Sequence, residues 1–381
     1  MKYCTECLYP DTKPDLIFEN GVCNACINFQ KRENIDWNKR KEEFIEIFKK
    51  YKSNDSTNWD CIIPVSGGKD STYQVYKILK LGYNPLCVTS TTCDLSDIGR
   101  KNLDNIKKMG VDLIEFSSNK IVRKKLNYIG LETVGDISWP EHLSIFTIPV
   151  IIAVKFNIKL IIWGENSQHE YGGPGASTTN NVLDRSWLEN FGGLIGLRQS
   201  DIVMLSDNKI QEKNLLPYIY PSDEDIRRVG VTGLFLGYYF PWSGIANAII
   251  SESIGLTTFE KFVEGSACNY ENLDNYQVGI HDYFKYLKFG FGRATDIMNN
   301  LIRRKIITRE DALEIVKKND GMYPHSYLNK NIENILEHIN MTIDDFDKIC
   351  DTFTNKQLFK KDEQGNLIKN NKKPILLNEI I

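Results

Sequence analysis

The stretch that decides the fold is Cys61-Ile-Ile-Pro-Val-Ser-Gly-Gly-Lys-Asp-Ser-Thr72. Its apolar first half, Cys61–Val65, reads as a short buried strand. Gly67-Gly68 makes a tight turn, and Asp70–Leu81 carries a helical pattern. A strand that runs through a glycine turn into a helix brings free backbone N–H groups and the positive helix end to one point, which suits an anion. Ser66 and Ser71 add hydroxyl donors and Lys69 a positive charge. The loop is not a Walker A motif. Ile63 stands where that motif needs its first glycine, and Asp70 follows the lysine in place of Ser or Thr. A carboxylate beside phosphates makes sense if Asp70 holds Mg²⁺.

Working outward, Pro85–Ser90, Asp112–Phe116 and Lys159–Trp163 read as further strands. Leu95–Met109, Asn119–Ile129 and His142–Phe156 read as the helices between them. Strands alternating with helices of this length predict an α/β fold, a parallel sheet with helices on both faces. Ligands of such sheets sit at the carboxyl ends of the strands. Residues 165–240 are rich in Gly, Asn and aromatics and read as mostly irregular, a substrate loop or lid. From Ser243 the chain turns helical, with segments at 245–253, 270–287, 293–304, 309–318, 332–339 and 343–350. The divisions expected are 1–30, a Cys-rich module; 31–58, a helix and linker; 59–240, the sheet domain; 241–355, a helical C-terminal region; and 356–381, a tail whose Lys360–Lys373 stretch is polar and mobile, despite the apolar Pro374–Ile381 end.

Four of the nine cysteines lie in the first 26 residues, as Cys4-x-x-Cys7 and Cys23-x-x-Cys26. This is zinc-ribbon spacing, with four thiolates closing a tetrahedral shell at ~2.3 Å, so a structural Zn²⁺ is expected on Cys4, Cys7, Cys23 and Cys26. Asn20-Gly21 supplies the tight turn before the second pair.

Composition limits the function. Over 381 residues the net charge is −3, with 25% charged and 41% apolar residues. No global basic field for nucleic acid is present. No run approaches the ~18 apolar residues of a membrane span, and no secretory signal is read at the N-terminus, so a cytoplasmic protein without membrane contact is expected.

The hexapeptide Ser66–Ser71 resembles the SGGxDS signature of the PP-loop ATP pyrophosphatases, whose sheet is of the adenine nucleotide alpha hydrolase-like type. The resemblance implies cleavage of ATP between the α- and β-phosphates. Ser66, Gly67, Gly68 and Ser71 would hold pyrophosphate, with Asp70 and Lys69 beside them. It also implies adenosine at Thr89-Ser90-Thr91 and a nucleotide loop at Gly164-Glu165-Asn166. Three further runs narrow the class: Gly164-Glu-Asn-Ser-Gln-His-Glu-Tyr-Gly-Gly173, Gly237-Tyr-Tyr-Phe-Pro-Trp242 and Lys288-Phe-Gly-Phe-Gly-Arg-Ala-Thr295. With the ribbon and loop, they resemble the bacterial N-acetyl sugar amidotransferases, the WbpG/PseA-like family.

That resemblance implies an enzyme that turns the N-acetyl group of a bacterial surface-polysaccharide or flagellin-glycan sugar into an acetamidino group through an adenylylated imidate. Glu165 and Glu170 would orient the incoming nitrogen or take its proton; the alternative is a pair of ordinary loop carboxylates. Lys288 and Arg293, in a Gly-rich loop opening a helix, would bind phosphate or a sugar carboxylate; the alternative is a solvated helix start. His169, His281 and the aromatics Tyr238, Tyr239 and Trp242 read as structural. Cys268 lies outside any nucleophile pattern, so ammonia is expected from separate glutaminase/cyclase-like subunits. The rival reading is a tRNA-thiolating PP-loop enzyme using Cys61, Cys87, Cys93 or Cys268. The lack of a dense Lys/Arg stripe weighs against it.

Overall fold

The computed structural model describes residues 1–52, 57–165, 182–183, 197, 199–206 and 209–378. A six-stranded sheet lies at its centre. The strands are β1 Cys61–Pro64, β2 Pro85–Ser90, β3 Asp112–Phe116, β4 Leu160–Trp163, β5 Val182–Leu183 and β6 Thr232–Phe235. The order is β3-β2-β1-β4-β6-β5; the first five are parallel and β5 pairs antiparallel on the edge. The direction of strand addition reverses beside β1, which makes the end of β1 the switch point where α/β sheets bind ligands. This is the parallel α/β sheet, with helices on both faces, expected from the sequence.

The central strands are mostly apolar because both faces are covered, whereas the edge strand β3 carries Asp112 and Glu115. Cys61, Ile63, Cys87, Leu160, Ile162 and Leu234 enter one core, while Ile62, Leu86, Val88, Ile161, Trp163 and Phe235 enter the core on the opposite face. Helices α2 (Lys69–Lys80), α3 (Asp97–Lys108), α4 (Lys120–Val134) and α5 (Trp139–Phe156) connect the first four strands. The charged helix α1 (Trp37–Tyr51) packs on a neighbour as its spacing predicts. Asp36 caps it, and Phe44 and Phe48 enter the sheet core, Phe44 against Tyr239 and Phe240.

Two expectations need correction. The described part of 165–240 is not mostly irregular: it holds β5, β6 and four helices, Gln199–Leu205, Glu212–Leu215, Asp223–Val229 and Leu236–Tyr239. Strand β6 escapes the pattern because Thr-Gly-Leu-Phe is short and carries a glycine, which weakens strand signals. The segment 360–373 is not a loose tail. Lys369–Asn370 and Lys373–Pro374 form a hairpin, held by the Tyr283 hydroxyl on the Lys372 carbonyl at 2.8 Å and the Tyr286 hydroxyl on the Pro374 carbonyl at 2.9 Å.

That hairpin sits on the helical C-terminal region: α6 (Gly244–Ser253), α7 (Val278–Phe289), α8 (Arg293–Arg303), α9 (Arg309–Asn319), α10 (Ile332–Glu337) and α11 (Ile343–Phe353). Helix α7 starts later than the sequence suggests, and Tyr270–Gln277 forms turns. Helix α6 lies along α2 and ties the C-terminal region to the sheet. Among the described residues no helix is long and apolar enough to cross a membrane.

Candidate active site

The turn after β1 requires glycine. Gly67 is left-handed at φ +84°, and a Cβ there would lie 2.9 Å from the Leu103 amide. Gly68 opens α2 in extended backbone and no side chain caps the helix, so its first amides are left for a ligand. The serines brace the loop. Ser66 Oγ accepts from the Gly68 amide at 3.3 Å, and Ser71 Oγ donates to the Gly68 carbonyl at 3.1 Å. Ser66, Gly67, Gly68 and Ser71 thus form one cradle.

Lys69 does not point to solvent. Its buried ammonium lies 2.7 Å from Asp70 Oδ2 and 2.6 Å from Glu271 Oε1. Burial alone would push its pKa down, but the two carboxylates outweigh that and hold it well above the ordinary lysine range. Asp70 also accepts from Asn247 Nδ2 at 2.7 Å, and the Ser251 hydroxyl donates to the Lys69 carbonyl at 2.7 Å. Both partners come from α6, which therefore fixes the first turn of α2.

A cleft open to solvent lies over this turn. Lys69, Asp70, Glu165, Trp242 and Glu271 line it together with Arg293, Asp296, Asn300 and Arg304, from α8 and its end. Glu165 follows β4, and its Oε2 accepts from the Trp242 indole at 3.0 Å. Arg293 is held by Asp282 at 2.9 Å and faces Asp296 at 3.7 Å; Arg304 donates to the Trp242 carbonyl at 2.8 Å. Carboxylates and cations lining one cleft can hold a substrate that carries both anionic groups and a nitrogen.

Thr89 and Ser90 end β2 and are buried. The Ser90 hydroxyl has no hydrogen-bond partner among the described residues, a vacant polar position at the sheet's ligand-binding edge. Gly164 ends β4, where a Cβ would crowd the Trp242 ring at 3.2 Å. The orphan hydroxyl, the Gly67 cradle and the uncapped helix end together fit a nucleotide with its phosphates. Asp70 is the carboxylate beside this cradle that would hold a magnesium ion; its oxygens are engaged by Asn247 and Lys69.

Some expected residues fall elsewhere. Lys288 is not in the cleft: its ammonium donates to the Val134 carbonyl at 2.6 Å and lies over the Phe353 ring. Asn166, His169 and Glu170 lie outside the described residues. Trp242 does pack in the core, yet its edge also lines the cleft. Cys268 is buried, which pushes its thiol up to about 11, so no activated nucleophile stands there. His281 has a partner after all, Asp136 Oδ1 at 2.8 Å. Glu271, Asn247, Asn300 and Arg304 are cleft or loop partners that sequence reading does not single out. Each is distant in sequence from the glycine loop and carries no local motif.

At the N-terminus, Asn20 and Gly21 are both left-handed and close a hairpin between Phe18–Glu19 and Val22–Cys23. It brings the sulfurs of Cys4, Cys7, Cys23 and Cys26 within 4.8 Å of one another, all buried. Cys7 and Cys23 lie 3.7 Å apart, close to the ~3.8 Å edge of a tetrahedron with ~2.3 Å metal–sulfur bonds. The donor set fits a structural zinc ion. The ribbon is docked on α8 and α9: the Leu8 amide donates to Asn299 at 2.7 Å, and Arg309 donates to the Cys7 carbonyl at 3.2 Å.

Residues 257–373 match the family described as the LPS biosynthesis protein WbpG-like, C-terminal domain. The C-terminal region is WbpG-like. The matched span contains Glu271, Arg293, Asp296, Asn300 and Arg304, so the WbpG-like part lines the cleft together with Lys69 and Asp70 of the glycine loop. Among curated proteins, nothing matches the chain. Among solved structures, a similar one is that of NMN synthetase from Francisella tularensis. It is 14% identical, over 52% of this chain and 94% of that chain, with a TM-score of 0.28, too distant to bear on activity.

Proposed function

We propose that this chain is an ATP-dependent amidotransferase. It converts the N-acetyl group of a bacterial surface-polysaccharide or flagellin-glycan sugar into an acetamidino group, releasing AMP and pyrophosphate. One observation carries the reading: Lys69 and Asp70 of the phosphate-type loop and Arg293–Arg304 of the WbpG-like region line the same cleft.

The chemistry follows from the parts. An amide oxygen is a poor leaving group; transfer of AMP to it makes a good one, and ammonia then displaces AMP. The Gly67–Gly68 amides and the N-terminus of α2 hold the departing pyrophosphate. When bound, magnesium spreads the charge that builds on the phosphates. Asp70 positions that ion, and Lys69, clamped between Asp70 and Glu271, keeps the two carboxylates from repelling each other. Arg293 and Arg304 receive the acidic part of the sugar or its nucleotide. Glu165, oriented by the Trp242 indole, takes a proton from the attacking nitrogen. Supply of ammonia by a separate glutaminase-type subunit is supported by Cys268, whose burial leaves its thiol protonated.

The test is incubation of the full chain with Mg-ATP, ammonium and a panel of N-acetylated bacterial sugars, followed by mass spectrometry. The expected result is AMP, pyrophosphate and a sugar lighter by about 1 Da, oxygen having been exchanged for NH, with turnover raised by the positioned leaving group. Release of ADP and phosphate would overturn the loop assignment. AMP and pyrophosphate with every sugar unchanged would overturn the amidotransfer step.

A further inference from the structure

Away from the cleft cradle and the cysteine ribbon, one cluster has metal-ligand chemistry. Asp136, in the connection between α4 and α5, lies between two imidazoles, His142 on α5 and His281 on α7. One donor atom from each lies within 4.8 Å of the others. His281 Nδ1 is 2.8 Å from Asp136 Oδ1, and His142 Nδ1 is 3.1 Å from Asp136 Oδ2. The imidazole rings stand edge to face, 5.2 Å apart.

We infer that Asp136, His142 and His281 bind a divalent transition-metal ion as a second metal site of this protein, separate from the cysteine ribbon. Three observations carry this. First, the donor set is two histidines and one carboxylate, which suits zinc or iron(II) and leaves positions for water or another ligand. Second, each imidazole turns its Nδ1 to a different oxygen of one buried carboxylate, His281 to Oδ1 and His142 to Oδ2, so three ligand-type side chains converge on one point. In the metal-free chain these are hydrogen-bonded ion-pair contacts, and a bound cation would take the place of the protons between them. The separations of 2.8 and 3.1 Å also match the ~3.0 Å edge between neighbouring ligands at ~2.1 Å from an ion at right angles. Third, the carboxylate is already oriented. Asp136 Oδ1 accepts the Ser138 amide at 2.9 Å, the outer bond that metal-binding carboxylates typically make.

The site is reachable. Asp136 is 3% exposed, but both histidine side chains are 27% exposed. The nearby cation does not block it, because the Lys288 ammonium is committed to the Val134 carbonyl. His281 directly precedes Asp282, the carboxylate that holds Arg293 in the cleft. The inference does not depend on the amidotransfer reading.

The test is metal content of the full chain after loading with zinc and removal of loose metal. About two zinc ions per chain are expected, falling to about one in His142→Ala and in His281→Ala, with the cysteine ion retained. Each variant removes one contact to Asp136, so circular dichroism and a thermal melt must show that both stay folded before the metal count is read. Cobalt loading of the unmutated chain gives a second readout. The ribbon should produce an intense sulfur-to-cobalt band, and the second site weak visible bands that vanish in His142→Ala. One zinc per chain in the unmutated protein, or an unchanged count in both variants, would overturn the inference and leave a carboxylate clamp between two helices.

Discussion

The Tyr9 hydroxyl donates a 2.8 Å hydrogen bond to Asp296 Oδ1, so the cysteine ribbon grips a carboxylate that itself lines the cleft. Asp296 Oδ2 is in turn bonded by Lys285 and faces Arg293 at 3.7 Å. Both Tyr9 and Asp296 are buried. Tyr9→Phe should therefore cost about 1.5–3 kcal/mol of stability, since it leaves one oxygen of a buried charge short of a donor. On the amidotransfer reading, it should also raise the KM for the sugar roughly tenfold, equivalent to ~1.4 kcal/mol, while leaving that for ATP nearly unchanged. Thermal melts and paired KM measurements check this; equal effects on both substrates would show that the ribbon does not act through Arg293.

Removal of the ribbon metal extends the same argument. Without it, four buried thiols lose the bond that holds the hairpin together. Hydrogen exchange after chelation should show loss of protection in residues 1–30 and in α8, which the ribbon braces through Asn299 and Asp296. Strands β1 to β4 should keep theirs. Loss of protection across the whole sheet would mean the ribbon supports the entire fold rather than α8 alone.

The glycine loop gives separable predictions. Gly67→Ala places a Cβ 2.9 Å from the Leu103 amide at a positive φ, so the turn must move, and ATP binding should be lost. Asp70→Asn keeps the shape and removes the charge. Pyrophosphate release should fall by roughly 10²-fold or more, while nucleotide binding without magnesium should persist. Isothermal titration with and without magnesium distinguishes the two. Full activity of Asp70→Asn would remove the carboxylate from the mechanism.

Much of this was legible because it is local. The order of strands and helices from Cys61 to Trp163 follows from apolar runs and a glycine turn, and the ribbon follows from cysteine spacing and Asn20-Gly21. What was not legible is what the fold brings together from far apart. Glu271 meets Lys69, Asn247 meets Asp70, and His281 meets Asp136, and no periodicity in the chain connects them. Lys288 misled for the converse reason: a cation in a glycine-rich loop looks like a phosphate ligand, yet its stem lies over Phe353 and its head finds a helix-end carbonyl. Strand β6 was missed because its place in the sheet, beside β4, supplies the order that its own four residues lack.

Lys69 is the charge that lets Asp70 and Glu271 coexist. Replacing it by Met leaves two carboxylates facing a partly buried gap, a cost of about 3–5 kcal/mol. Adding Glu271→Gln should recover part of that loss, because one of the repelling charges is gone. A double-mutant cycle by urea denaturation measures the coupling. Strict additivity would mean that Lys69 and Glu271 do not share an interaction in solution.

Cys93 tests the sulfur-transfer rival directly. Its Sγ lies 3.0 Å from His338 Nε2, the spacing of a catalytic pair. The surroundings oppose that role. Burial, reinforced by the Glu141 carboxylate, pushes the thiol up to about 12, and burial pushes the His338 imidazole down. At neutral pH the pair is therefore a thiol beside a neutral imidazole rather than a thiolate beside an imidazolium. The sign is clear: thiolate forms only as pH rises toward 12. Alkylation of Cys93 by iodoacetamide at pH 7.5 should run about a thousandfold slower than for an ordinary thiol near 8.5, and should still be accelerating above pH 10. Peptide mapping by mass spectrometry follows this residue alone. Fast labelling that stays flat between pH 6 and 8 would mean a preformed thiolate, and would turn the argument toward sulfur chemistry at the end of β2.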